Sequence, residues 1–427
     1  MNRFRDAIYG VCLLLAAPAS AGTVTVSSTD AAYAAVKADQ PGDVVLLAAG
    51  VYGALDLSNL VVAAPGVTVK PAPGANVLLG QVTISNSQGL NLSSFEVVQS
   101  PASWMSSVYV TNSSRINLDG LHVHQSDPAI SSNGVQFRDT TDSSLTNSQL
   151  DHLGVAGLFI DAQRLTVAGN SVAHLTADGF DFAGVGGSLI DGNRLTDFNP
   201  AAGVHDDAIQ FWGTANNPSP VGNVVSNNVI SRGDGVVVQG VFAESQASLT
   251  ITGNAMTGTM FNGISVSSTK GATISGNFVQ GWADMGSAIV ARGGSSDVTV
   301  GGNTISSPVN NVPANGTELA VINFVLGQNA AIAPAAVGDT SAMEAWLKAK
   351  AAPVVTPPPD PRDVQIVALT VQLATARAQL TSFGTQVKTL QGQATAAQAA
   401  TAAANAKVAA LRNTLSALGA SVAAALK

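Results

Sequence analysis

The chain has 427 residues, of which 46% are hydrophobic and 11% charged, and a formal net charge of −8. That apolar share excludes a disordered chain. The acidic balance argues against nucleic acid or an anionic membrane surface as the main partner, and past the first residues no stretch is long and apolar enough to span a membrane.

Residues 1–22 have the pattern of an export signal. Arg3 and Arg5 supply a basic start, Val11 to Ala17 an apolar centre, and Ala19-Ser20-Ala21 a small-residue cleavage site. The only cysteine, Cys12, lies inside this segment. The processed chain is therefore expected to carry no disulfide and no thiolate chemistry, and to be secreted, periplasmic or at the cell surface.

Residues 29–38 follow a helical pattern behind an N-cap signal. Such a helix would cover the first turn of a repetitive fold, whose open end exposes core and strand edges. Gln40-Pro41-Gly42-Asp43 then leads into apolar Val44–Leu47 and into Ala49-Gly50-Val51-Tyr52.

A spaced motif dominates the middle of the chain. An asparagine, usually after glycine, recurs at Asn147, Asn170, Asn193, Asn228, Asn254, Asn277 and Asn303, in steps of 23, 23, 35, 26, 23 and 26 residues. Each unit contains short strands of alternating polarity with Gly, Asn and Asp at the corners. A fixed period in this range marks a solenoid, whose units bury their apolar faces only against their neighbours. The fold expected is all-β: a parallel β-helix. The Pro-Gly-Asp opening, the apolar strand and Gly50-Val51-Tyr52, with these repeats, resemble the pectate-lyase-like superfamily. The resemblance covers residues 23–325 and implies a right-handed parallel β-helix that acts on or binds polysaccharide.

Residues 326–362 form an exit segment and linker. Ser341 to Lys350 have the pattern of a short amphipathic helix. Pro353, Pro357, Pro358, Pro359 and Pro361 make the end of this segment a stiff extended neck. Residues 363–427 then place apolar residues at alternating steps of three and four, from Ile366, Leu369, Leu373 and Ala376 through to Val422 and Ala425, interrupted once at Thr401. This is a coiled-coil pattern and predicts a homo-oligomer.

Aligning the strand after each asparagine turn gives columns of stacked side chains. Asn133-Gly134-Val135-Gln136-Phe137 aligns with segments starting at Ala156, Asp178, Asp207, Asp234, Asn262 and Ser287. The third and fifth residues are apolar and point inward, the second is small, and the first and fourth face outward. The first column thus stacks Asp178, Asp207 and Asp234. Asp181 and Gln210 stand in the fourth, His205 and Asp206 precede Asp207, and Trp212 ends that strand. A second polar column, four residues after each asparagine, holds Asp151, His174, Asp197 and Arg232. Stacked carboxylates repel unless a cation, a shared proton or a basic neighbour compensates. The 35-residue step inserts residues 199–203 and 216–220 around this segment, as expected for the walls of a cleft.

Ala177-Asp178-Gly179, Asp206-Asp207 and Gly233-Asp234-Gly235 also resemble, in order, three segments of the polygalacturonase family of glycoside hydrolases, with Asp234 replacing that family's histidine. The resemblance implies glycosidic bond cleavage, with Asp178, Asp206 and Asp207 sharing acid and base roles and His205 beside them. Asp181, Gln210, Trp212, Arg232 and His174 would line the substrate path. Rungs spaced about 4.8 Å apart accommodate both retaining and inverting carboxylate pairs. Two alternatives stay open. A Ca²⁺ ion on Asp178, Asp207 and Asp234 would serve a polysaccharide lyase or uronate epimerase. Without turnover, the chain would be an oligomeric glycan-binding spike or adhesin.

Overall fold

The computed structural model describes residues 21–99, 106–126, 132–200, 206–259, 262–306, 329–351 and 401–419, with helical residues at 391 and 398. The export-signal pattern and the Pro-rich neck lie almost wholly outside these residues.

All strand pairings between the turns of the solenoid are parallel. One sheet has 12 strands, running from Thr23–Val26 to Thr299–Gly301. A 20-stranded sheet contributes two further faces. They join at the nine-residue strand Val77–Ser85, which pairs with Glu96–Gln99 through its first half and Val108–Thr111 through its second. The second face of the solenoid contains Phe180–Ala183 and Asp207–Trp212, and the third contains Ser171–Leu175 and Arg194–Phe198. Strict register keeps like residues stacked, as in Phe180 against Ile209 and Val172 against Leu195. The interior is therefore a set of columns. Under the second face, Phe137, Phe159, Phe182 and Phe211 stack with centroids 5.9, 4.6 and 4.6 Å apart.

The recurring asparagines form a buried ladder at one corner. Each Nδ2 of Asn170, Asn193, Asn228, Asn254, Asn277 and Asn303 donates to the Oδ1 of the next at 2.9–3.0 Å, the last to Asn329. That oxygen also takes the preceding asparagine's backbone N–H, for example Asn193 N to Asn228 Oδ1 at 3.0 Å. The ladder thus satisfies backbone groups that the corner removes from the sheets. Asn147 departs from the expected pattern. Its side chain binds Asp119 Oδ1 at the surface, and Ser148 takes the ladder place, its N–H donating to Asn170 Oδ1 at 2.9 Å. The solenoid also passes the expected end at 325, because Asn329 extends the ladder and Ala330–Ala331 pairs with Thr304–Ile305.

Helix Thr29–Ala38 forms where its N-cap pattern predicts. Ser28 Oγ accepts from Ala31 N, and Ala32 and Val36 are buried in the main core. Helix Ser341–Ala351 packs Met343 and Trp346 beside Ala255 and Phe278. Its Lys350 Nζ donates to Gly253 O at 2.6 Å and Asn227 Oδ1 at 2.7 Å. Residues 353–427 belong to a separate unit, in which 401–419 is a continuous helix with exposed side chains. Most of the heptad pattern lies outside the described residues, so the tail is shown as a helix and not as a coiled coil.

Candidate functional site

The aspartates gather at the corner where the third face turns into the second. Strand Ser171–Leu175 ends there and Phe180–Ala183 begins. Phe180 pairs with Ile209 and Asp181 with Gln210, so Asp178 and Asp207 occupy equivalent places on adjacent rungs. Rungs are about 4.8 Å apart. The contact is direct, since the backbone N–H of Asp207 donates to Asp178 Oδ1 at 2.6 Å. The residue between corner and strand must be small. A Cβ on Gly179 would meet the Ala208 carbonyl oxygen and lie 2.7 Å from Leu195 Cδ2, and one on Gly240 would meet Gly263 O and lie 2.6 Å from Met256 Sδ. That small position points inward, which turns Asp178 outward.

Three of the four carboxylates are almost fully out of water: Asp207 is 0% exposed, Asp206 2% and Asp181 6%. Burial, then the charge of Asp178, pushes Asp206 up to about 6. Burial with Asp178 and Asp206 pushes Asp181 up to about 8. Asp207 reaches about 8 through burial, then Asp178, Asp181 and Asp206, opposed by a hydrogen bond with Gln239. Among the described residues, neither oxygen of Asp206 has a hydrogen-bond partner, nor has the Oδ1 of Asp181. Near neutral pH the corner therefore mixes protonated and ionised carboxyl groups, as acid–base catalysis requires.

The structure rearranges other expected positions. Asp207 pairs with Gln239, not Asp234. Asp234 sits in an exposed turn where its N–H donates to Asp197 Oδ1 at 2.7 Å, so the trio Asp178, Asp207 and Asp234 does not form one column. Residues 232–238 are an inserted bend that displaces the alignment. One rung earlier, Val135 pairs with Gly157, which puts Val155 rather than Ala156 in the first column. A one-residue slip in the opposite direction separates Asn147 from Ser148. It also places His152, not Asp151, above His174 in the second polar column, with ring centroids 4.8 Å apart.

Gln210 lies beside Asp181 on the outer surface of the second face. Trp212 ends that strand, five residues from Asp207 and about 16 Å away at 3.3 Å per residue. It is thus at the far corner, where residues 214–217 tie to Asp161 through Thr214 and Asn216. Residues 216–220 therefore stand away from the aspartates, and most of the insert at 199–203 lies outside the described residues. His205 also lies outside the described residues. Arg232 Nη1 pairs with Asp284 Oδ2 at 2.6 Å and its guanidinium lies 5.3 Å from the Trp282 ring. Trp282 is buried, its Nε1 donating to Thr257 Oγ1 at 3.0 Å, and is a packed aromatic.

Gln239 is the residue that sequence reasoning missed. It continues the column from Asp207 to Asn262, whose Nδ2 donates to its Oε1. Gln239-Gly240-Val241-Phe242-Ala243 carries the same small-then-apolar signature, 23 residues before Asn262.

The right handed beta helix region family matches residues 72–230 and 106–279. Among solved structures, an alginate lyase from Paenibacillus sp. str. FPU-7 is similar at 15% identity and a TM-score of 0.50, over 65% of this chain and 99% of its own. A pectate lyase is similar at 14% identity and 0.44, over 66% and 80%. A polygalacturonase from Erwinia carotovora ssp. carotovora is similar at 11% identity and 0.39, over 68% and 96%. No curated protein matches the chain in sequence. At these identities the likeness is one of fold. Stacked parallel rungs, the asparagine ladder and the match to the right handed beta helix region family show that this chain folds as a right-handed parallel β-helix.

Proposed function

We infer that this chain is an exported, polysaccharide-active protein that hydrolyses glycosidic bonds at the corner formed by Asp178, Asp181, Asp206 and Asp207. The observation that carries the reading is the split protonation of that corner, with Asp206 ionising near 6 and Asp207 and Asp181 near 8. In this reading Asp207 is the general acid that protonates the leaving oxygen. Asp206 is the base that activates water. Asp178 raises both and receives the Asp207 N–H. Asp178 stands one rung from Asp207, about 4.8 Å away, so its charge borders the acid–base pair. Gln210, beside Asp181 on the outer face, would meet the chain as it leaves the corner. The polysaccharide class follows the alginate lyase of like fold. The signal pattern supplies export, and the heptads at 363–427 supply an oligomer built on a coiled coil.

A second reading has its own support. Asp206 Oδ1 and Oδ2 and Asp181 Oδ1 are buried acceptors with no donor among the described residues. An ion such as Ca²⁺ bound to Asp178, Asp181 and Asp206 would satisfy them and would neutralise a uronate carboxylate, as elimination or epimerisation needs. The Asp234 position contributes nothing to that set.

Incubating the purified chain with neutral and acidic polysaccharides, with and without EDTA, separates the readings. New reducing ends without unsaturated uronates, unaffected by EDTA and lost in Asp206→Asn and Asp207→Asn, support hydrolysis. Unsaturated products abolished by EDTA replace it with the cation reading. Retained glycan binding without product under any condition makes the chain a binding spike.

A further inference from the structure

Four of the chain's five histidines lie on or at the ends of third-face strands, and His122 and His124 stand on rungs before those of the aspartates. His122 and His124 are two residues apart on strand His122–Gln125, so both rings point outward from the same face. They stack with centroids 4.3 Å apart. Glu96 pairs opposite His122 on the preceding rung, and Asp151 opposite His124 on the next. Among the described residues, Glu96, His122 and His124 are a set whose donor atoms all lie within 4.8 Å of one another.

Hydrogen bonds fix which ring nitrogens are available. His124 Nδ1 lies 3.1 Å from the Gln125 carbonyl oxygen, which only accepts, so this nitrogen carries a proton and the neutral imidazole has its lone pair on Nε2. Yet His124 Nε2 lies 3.1 Å from Glu96 Oε1, a second lone pair. That separation suits either a proton donated from Nε2 of an imidazolium or a cation shared by the two atoms. His122 Nε2 is 3.1 Å from Asp151 Oδ2. His122 therefore donates from Nε2 and keeps Nδ1 free. Each imidazole is thus oriented from behind, His122 by a carboxylate and His124 by a carbonyl, as metal-ligating histidines are.

We propose that Glu96, His122 and His124 form a divalent transition-metal site, Zn²⁺ being the fitting ion, with Nδ1 of His122, Nε2 of His124 and a Glu96 oxygen as ligands. Zn–N bonds of about 2.0–2.1 Å place tetrahedral ligands about 3.3 Å apart, close to the separation of His124 Nε2 and Glu96 Oε1. Two imidazoles select Zn²⁺ over Ca²⁺ or Mg²⁺, which prefer all-oxygen sites. Both histidines are part-exposed and Glu96 is exposed, so the fourth position stays open to water. The site is independent of the aspartate corner and of any turnover there.

The test is isothermal titration of the EDTA-treated, dialysed full chain with ZnCl₂, together with the visible spectrum of its Co²⁺ form. One ion per chain is expected, with tetrahedral-type Co²⁺ bands. Glu96→Gln and His124→Gln should each weaken binding by at least tenfold, the low end of the loss seen even for outer-shell partners, while excess CaCl₂ should not compete. Glu96 is exposed, so its variant keeps the test valid if the histidine variant misfolds. Absence of Zn²⁺ binding overturns the proposal. So does binding unchanged in both variants, or binding removed by Asp206→Asn instead, which would put the ion at the aspartate corner.

Discussion

Asp181 and Asp207 hold their protons to about pH 8 because burial disfavours their charged forms. In the unfolded chain both would ionise near 3.8, so between those limits the folded state binds more protons than the unfolded one. Unfolding free energy therefore falls as pH rises across this window: their contribution is fully present below about pH 4 and lost as pH passes 8. Asp181→Asn keeps the shape and removes the titration. Its melting temperature should exceed the parent's at pH 9 and approach it at pH 5, by about 2–4 °C per kcal/mol recovered. Calorimetric melts at the two pH values check this, and parallel curves would sink it. The same residues shape catalysis under the hydrolase reading. The base Asp206 must be ionised and the acid Asp207 protonated, so kcat/KM should be bell-shaped with limbs near 6 and 8. Asp206→Asn should cost about 10²–10⁴-fold in rate, and the residual activity should lose its acidic limb. A pH–rate profile that keeps both limbs in the variant removes Asp206 from the base role.

The ladder and the small-residue column show how single positions carry whole rungs. Asn228→Ala would strand the N–H of Asn193, leave Asn193 Nδ2 with Val167 O alone, and take the side-chain donor from Ile190 O and from Asn254 Oδ1, which keeps the residue 228 N–H. Each buried unsatisfied group costs about 1–3 kcal/mol, so a loss on the order of 3–5 kcal/mol is expected in urea titration. A loss under about 1 kcal/mol would mean that the corner rearranges. The asparagine period was legible because a buried amide column must repeat with the rung. Its first member was misread because Ser148, by accepting a backbone N–H with no amide, interrupts the Asn pattern beside a surface Asn147. Asp178, Asp206 and Asp207 were legible for a related reason: register carries equivalent positions through the regular rungs. Asp234 was misread because the bend at 232–238 adds residues with the same Asp-Gly-apolar pattern, and periodicity cannot tell an inserted turn from a rung. The histidine cluster left no such signal. Its members come from strands 26–29 residues apart, and only their pairing brings them together.

At the scale of the molecule, the solenoid carries its own closures. Helix Thr29–Ala38 buries Ala32 and Val36 in its core at one end, and Ser341–Ala351 packs on Ala255 and Phe278 toward the other. Residues 21–352 form one compact unit. Truncation after residue 352 should therefore leave a cooperative β-rich melt within a few degrees of the full chain's. The tail obeys a different requirement. In residues 401–419, Val408, Leu411, Leu415 and Leu418 are 49–70% exposed at steps of three and four. An apolar stripe of that kind gains by pairing with its own copies, and the heptads from Ile366 to Ala425 extend it over more than eight repeats. Sedimentation equilibrium of the full chain at micromolar concentration should then give a multiple of the monomer mass. The chain ending at 352 should be monomeric, and Leu411→Asp with Leu415→Asp should lower the mass of the full chain without altering the β-helix melt. A monomeric full chain would refute the oligomer. An oligomer that survives truncation would move the interface to the β-helix itself, where Val51, Val61 and Val221 stand 58–82% exposed.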